Sequence, residues 1–236
     1  MNIVPTILES RHIPVKAIAV ENQVEMLTLP TNLKGLSWRY SVKKNPQHYD
    51  NLDGWWYPTS SGNTVEISED NKKIILQYLQ DVMSKKDKIV IVEIGVHRNP
   101  TEQTSTGVFL KNKKDTDIYL GIDIEDKSFL NNDSKNIYTI NCPSENTNAI
   151  FEHLKKLGVD NIDILMIDGW HSINQVYKEW EYTTLLSIGG VVIFHDTNGH
   201  PGPYFILKSI DTNDYDVYKY LTDVKDFGIG VAVRKQ

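Results

Sequence analysis

Five stretches of this 236-residue chain run into residues that can do chemistry. Ile89–Val90–Ile91–Val92 leads to Glu93 and Gly95, and Ile118–Tyr119–Leu120–Gly121–Ile122 leads to Asp123. Ile137–Tyr138–Thr139–Ile140 leads to Asn141 and Cys142. Ile162–Asp163–Ile164–Leu165–Met166–Ile167 ends at Asp168, and Val191–Val192–Ile193–Phe194 ends at His195 and Asp196. Acids close four of the five. A single Asp at such a place is ordinary, because the end of a strand is the start of a loop. Four acids gathered in one crevice are harder to set aside as ordinary loop residues. His171 stands three residues beyond Asp168. With an unperturbed pKa of about 6.5, an imidazole can exchange a proton near neutral pH. Its structural alternative is to pack near the start of the following helix. His200, within the turn-rich Asn198–Gly199–His200–Pro201–Gly202–Pro203, reads as a loop residue.

The elements that must position these residues alternate. Glu69 to about Ser84 reads as a helix: Ser68 suits the N-cap, Glu69 and Asp70 suit the positive end, and Ile74, Ile75, Tyr78, Leu79, Val82 and Met83 form its apolar stripe. Lys85, Lys86 and Lys88 follow at the negative end. The five apolar runs read as strands buried on both faces of a parallel sheet. Ser144 suits the cap of a helix carrying Ala149, Ile150, Leu154 and Leu157, ended by Gly158. Ser172 and Gln175 have the spacing of a capping box, before a helix with Ile173, Val176, Tyr177 and Trp180 on one face. Gly189–Gly190 is read as its stop. Tyr215 to Leu221 and Gly228 to Arg234 read as an antiparallel pair at the sheet edge. Strands alternating with helices predict a doubly wound α/β domain, in which ligands bind beyond the carboxyl ends of the strands.

That crevice is suited to a nucleoside without phosphates. Asp123, ending the second strand, can accept both hydroxyls of a ribose. The first loop, Gly95–Val96–His97–Arg98–Asn99–Pro100, has one glycine and is neither a dinucleotide fingerprint nor a P-loop. Composition sets wider bounds. A net charge of −6 weighs against nucleic acid as the main partner. The only cysteine, Cys142, allows no intrachain disulfide and fits a reducing, cytoplasmic setting. The N-terminus lacks the form of a signal peptide, and no apolar run is long enough to span a bilayer, so no membrane partner is expected.

Four motifs in order, Val92–Glu93–Ile94–Gly95, Gly121–Ile122–Asp123, Ile167–Asp168–Gly169–Trp170–His171–Ser172 and Gly189–Gly190–Val191–Val192–Ile193–Phe194–His195–Asp196, resemble class I S-adenosylmethionine-dependent methyltransferases. The resemblance is to small-molecule O-methyltransferases of the catechol type and of the metal-dependent sugar and macrolide-sugar type, with the related cephalosporin-hydroxylase-like group. It covers about Ile74 to Arg234. It implies a mostly parallel seven-stranded sheet of order 3-2-1-4-5-7-6, S-adenosylmethionine as cofactor, and methyl transfer to a hydroxyl of a sugar, glycoside or phenol. By position, it implies that Glu93 and Gly95 approach the methionine part of the cofactor and that Asp123 holds the ribose. Ser144 and Glu145 would contact the adenine, on which Trp170 would pack. Asp168 would serve both cofactor and metal, joined by His195 and Asp196 as ligands of Mg²⁺ or another divalent cation. His171 would be the general base, with Asp168 beside it in the catalytic set.

This chain departs from the pattern in three places. The first loop lacks the later glycine and is longer, which leaves the contacts of His97 to Thr106 open. His195 stands where an oxygen ligand is usual, and imidazole suits softer ions than Mg²⁺. His195 therefore stands outside the coordination shell, or the ion is Mn²⁺ or Fe²⁺-like, or none binds. Third, the base position holds His171, where relatives carry Lys or His. Residues 1–65 form an aromatic-rich extension with Trp38, Tyr40, Trp55, Trp56 and Tyr57, and residues 66–236 the cofactor-binding domain. The extension packs on the sheet, closes over the acceptor as a lid, or makes a homo-oligomer contact. The rival functions are another enzyme of the same fold, hydroxylase-like or a protein methyltransferase, and a cofactor-binding module without catalysis.

Overall fold

The computed structural model describes residues 6–7, 67–96, 104–171, 173–197, 201–220 and 228–236. The aromatic extension apart from Thr6–Ile7, residues 97–103 of the first loop, Ser172 and His200 lie outside the described residues.

The first helix, α1 (Glu69–Met83), begins as its sequence dictates: the Ser68 side chain accepts from the Asn71 backbone N–H at 3.1 Å. Its apolar stripe of Ile74, Ile75, Tyr78, Leu79 and Val82 is buried. Then β1 (Val90–Ile94), β2 (Ile118–Asp123), β3 (Ile137–Asn141), β4 (Ile162–Ile167) and β5 (Leu186–His195) line up in parallel. Between them come α2 (Ser105–Asn112), α3 (Thr147–Lys156) and α4 (Ile173–Glu179), and beyond β5 lies α5 (Pro201–Ser209). Last come β6 (Tyr215–Tyr220) and β7 (Ile229–Arg234). The sheet order is β3-β2-β1-β4-β5-β7-β6, the order that the motifs imply. Thr6–Ile7 adds a two-residue strand antiparallel to β6.

Continuous apolar runs form these strands because both faces are covered. Val92, Ile94, Leu165, Ile167 and Phe194 turn to the face of α3, α4 and α5. Ile91, Ile164, Met166 and Ile193 turn to the face of α1. Trp180 fills the first layer, with no exposed surface and its ring stacked 5.9 Å from that of Phe194.

Three local expectations are corrected. Asn146, not Ser144, precedes α3, and Ser144 is drawn away by side chains of α4. Gly189–Gly190 does not stop α4. That helix ends at Glu179, and a 3₁₀ segment, Trp180–Leu185, carries the chain into β5, which contains both glycines and a register shift against β4. The C-terminal pair is antiparallel and lies at the sheet edge as expected, with β7 between β5 and β6 as the implied order requires. The stretch after Asn198, read as loop, becomes α5 at Pro201, where proline suits a first helical position.

Candidate active site

The acids of the sheet divide by edge. At the amino edge they are spent on the protein itself. Asp163 accepts from Val90 N–H at 2.9 Å, from Ser187 Oγ at 2.6 Å and from the Lys86 ammonium. Asp117 accepts from Ile89 N–H at 3.0 Å and Lys114 N–H at 2.8 Å. At the carboxyl edge the strand-end residues open onto one cleft of about 700 Å³. Gly95, Asp123, Cys142, Ser144, Glu145, Asp168, Trp170, His171, His195 and Asp196 all line it.

Asp123 faces the cleft with both oxygens oriented by backbone. Val96 N–H donates to Oδ2 at 2.9 Å and Glu125 N–H to Oδ1 at 2.7 Å. Trp170 is 58% exposed and Ile124 is 75% exposed, although both are large and apolar. Two apolar side chains left in water on the walls of one cleft provide surface for a flat ring. Ser144 is held behind them: its Oγ donates to Glu179 Oε1 at 2.7 Å and accepts from Gln175 Nε2 at 2.8 Å. Burial raises the Glu179 carboxyl to about 7, against the hydrogen bonds from Ser144 and Gln175. This pair of α4 residues was not legible as part of the site. Gln175 reads as a helix-capping residue, yet it reaches across to the loop after β3.

Glu93 is placed differently from its neighbours. It is fully buried and is not on the cleft wall. It accepts from Thr106 Oγ1 at 2.9 Å and from the hydroxyls of Ser105 and Tyr119, tying the start of α2 to the sheet. Burial lifts its carboxyl to about 7, which the three hydroxyl donors only partly oppose. The ordinary value is 4.5, so the neutral form is favoured in the fold. Stability attached to this group is complete below about pH 4.5 and lost as pH rises through about 7. Glu93→Gln is expected to remove that loss, stabilising the protein on the order of 3 kcal/mol at about pH 8 and little at about pH 4. Urea unfolding at the two pH values measures it, and a variant no better at the higher pH than at the lower refutes it.

At the other end of the cleft two carboxylates and two imidazoles meet. His195, the last residue of β5, sets Nδ1 3.1 Å from Asp168 Oδ1 and 3.1 Å from Asp196 Oδ1. His171 sets Nε2 3.0 Å from Asp196 Oδ2 and 3.6 Å from Asp168 Oδ1. Asp196 adopts φ +61°, in the left-handed region, and this turn aims its carboxylate back at both rings. Burial alone would lower the histidine pKa values, but the two carboxylates outweigh it. His171 is pushed up to about 10, and His195 well above the usual imidazole range. The imidazoles in turn outweigh burial at Asp168 and Asp196 and hold both carboxyls below the usual range. The ligand atoms of Asp168, His195 and Asp196 lie within 4.8 Å of one another. Two hard oxygens and one nitrogen at this spacing fit a divalent cation of the Mg²⁺, Mn²⁺ or Fe²⁺ kind.

The two ends of the cleft are locked together by backbone. Gly95 N–H donates to Ile122 O, and Asp168 N–H donates to Ile94 O, both at 2.9 Å. Beyond β5, Gly202 N–H donates to His171 O at 3.0 Å, which fixes the start of α5 against the same loop.

No protein-family model matches the sequence, and a search by sequence among curated proteins finds no match. The fold is the one that class I S-adenosylmethionine-dependent methyltransferases share. Similar solved structures include the MycE methyltransferase of the mycinamycin biosynthetic pathway in complex with Mg and SAH, at a TM-score of 0.51 and 13% identity over 79% of this chain and 54% of that one. The chain thus spans about half the length of MycE. CalS11, a TDP-rhamnose 3'-O-methyltransferase of calicheamicin biosynthesis, aligns at a TM-score of 0.50 and 13% identity, over 81% of this chain and 96% of that one. The O-methyltransferase TomG from Streptomyces achromogenes, in complex with SAM, aligns at 0.51 and 13% identity, over 80% and 98%. Among the described residues, no helix is long and apolar enough to cross a membrane.

Proposed function

We propose that this chain is an S-adenosylmethionine-dependent O-methyltransferase acting on a hydroxyl of a small molecule, of the sugar, glycoside or phenol class. One observation carries the reading: a single cleft joins an oriented strand-end acid, Asp123, to the cluster of Asp168, His171, His195 and Asp196. In this reading Asp123 accepts the ribose hydroxyls, Trp170 and Ile124 flank the adenine, and Ser144 and Glu145 meet its edge. Gly95 lets the backbone approach the methionine part. The neighbours with bound cofactor support the choice of S-adenosylmethionine, and the magnesium of MycE supports a divalent cation at Asp168, His195 and Asp196.

The reaction needs alignment more than activation, since the sulfonium is already electrophilic. The methyl carbon leaves sulfur as the acceptor oxygen attacks it, and the hydroxyl proton must go elsewhere. A divalent cation on the cluster would compensate the two carboxylates and lower the pKa of a hydroxyl bound to it. His171 Nε2, relieved of part of the field of Asp168 and Asp196, is the atom that takes the proton. Calorimetric titration with S-adenosylmethionine and its demethylated product tests the reading, and binding of both is expected. Absence of binding by either overturns it.

A cofactor-binding module without catalysis is the second reading. His195 favours it, because an imidazole stands where an oxygen ligand of Mg²⁺ is usual. Mass spectrometry for methyl transfer to a panel of glycosides and phenols separates the two.

A further inference from the structure

Outside the cleft, α5 and β6 bring two lysines to one aromatic ring. Lys208 Nζ lies 4.2 Å from the Tyr204 ring centroid and Lys219 Nζ lies 4.7 Å from it. Lys208 also donates to the Tyr204 hydroxyl. All three residues are half-buried. Among the described residues, no carboxylate pairs with either ammonium. Two cations held together over one ring, with no acid paired to them among the described residues, repel each other and are partly desolvated, an arrangement that a bound anion would relieve. Lys219 feels this, its pKa pushed down to about 8 by burial and then by Lys208.

The location is as informative as the charge. Lys219 pairs with Gly230 on β7, and Gly230 pairs with Phe194 on β5. Lys219 therefore stands level with the end of β5, at the carboxyl edge where the cleft opens. It is two strands from His195's own strand, about 10 Å at the usual strand spacing. Along β6 it shares the face of Val217, which packs in the same layer as Phe205, Ile206 and Leu207 of α5. Helix α5, which carries Tyr204 and Lys208, is bonded at its first turn to the His171 carbonyl. The lysine pair thus lies on the side of the cluster away from Asp123 and Ser144.

We propose that Lys208, Lys219 and Tyr204 form an anion subsite for a phosphoryl group carried by the acceptor, about 10 Å from the strand end that holds His195. The ammoniums take the oxyanion from two sides, and the Tyr204 ring holds both stems in place. Assigning the anion to the acceptor rests on the methyltransferase reading. The existence of the subsite does not.

The test titrates the full chain with inorganic phosphate, pyrophosphate and acetate, read by calorimetry. It is repeated with Lys208→Met, Lys219→Met and the double variant, which keep the apolar stems. Phosphate or pyrophosphate is expected to bind and acetate not, and each single variant is expected to bind about tenfold more weakly or worse. Tighter binding of pyrophosphate than of phosphate identifies a diphosphate as the source of the group, and the reverse order a monoester. Equal affinity in wild type and variants, or no binding of either phosphate, overturns the subsite. If the double variant fails to fold by circular dichroism, the single variants decide. Demethylated cofactor is titrated into the same samples. Its binding is expected to be unchanged by the lysine variants, and its absence sinks the methyltransferase reading while the phosphate result still judges the subsite. With turnover, pyrophosphate is expected to raise KM for the acceptor and leave KM for the cofactor unchanged. The opposite pattern refutes the assignment to the acceptor.

Discussion

His171→Ala is expected to lower the turnover number of methyl transfer by about 10²- to 10⁴-fold, the usual contribution of a positioned general base. Affinity for the demethylated cofactor is expected to stay within about twofold, because the imidazole reaches the acid cluster and not the ribose acid. Two features make the effect large. The ring's Nε2 is 3.0 Å from Asp196, so its orientation is set before any acceptor arrives. The carboxylates also tune its proton affinity strongly upward, so its protonation depends on what compensates them. His171→Ala also leaves Asp168 and Asp196 with one positive partner fewer, and raised carboxyl pKa values are expected alongside lost turnover. Production of demethylated cofactor, followed with an acceptor found in the glycoside and phenol panel, measures the effect. Turnover within about threefold of wild type would remove His171 from the chemistry.

Gly95→Ala is expected to destabilise the fold by about 2–5 kcal/mol, combining a disfavoured positive φ with an overpacked contact. Gly95 has φ +83°, and a Cβ there would lie 2.1 Å from the Asp168 carbonyl oxygen and 2.9 Å from Gly169 Cα. Neither neighbour can step aside. The Asp168 N–H is committed to Ile94 O, and the Gly95 N–H to Ile122 O. Relief must come by separating the ends of β1 and β4, which moves Asp168 relative to Asp123. Cofactor affinity is therefore expected to fall together with stability. Guanidinium unfolding and calorimetry on the same sample check both, and a variant within about 1 kcal/mol of wild type refutes the packing argument.

The legible part of the molecule is the part fixed by period and by strand ends. Runs such as Val90–Ile94 and Ile162–Ile167 could only be strands covered on both faces, and the residues closing them had to share an edge. That reasoning brought Asp123, Asp168, His195 and Asp196 to one cleft. It failed where a side chain's partner lies far along the chain. Glu93 looked like its neighbours, yet Ser105, Thr106 and Tyr119 draw it beneath the cleft. Ser144 looked like a cap, yet Gln175 and Glu179, more than thirty residues on, hold it elsewhere. Helix α5 was hidden by its own glycine and prolines, which mark turns in most settings but here open a helix. The lysines at Tyr204 were invisible because one belongs to a helix and the other to a strand returning from the far edge.

The left-handed turn at Asp196 narrows what the chain can become. Of the twenty residues, glycine, asparagine and aspartate accept that conformation most readily. Of these three only aspartate brings a charged oxygen to His171 and His195. Glutamate would keep the charge and strain the turn, while asparagine would keep the turn and lose the charge. Substitution at this position therefore has no gradual path: a redesign of the site would have to leave residue 196 untouched or rebuild the end of β5 around it.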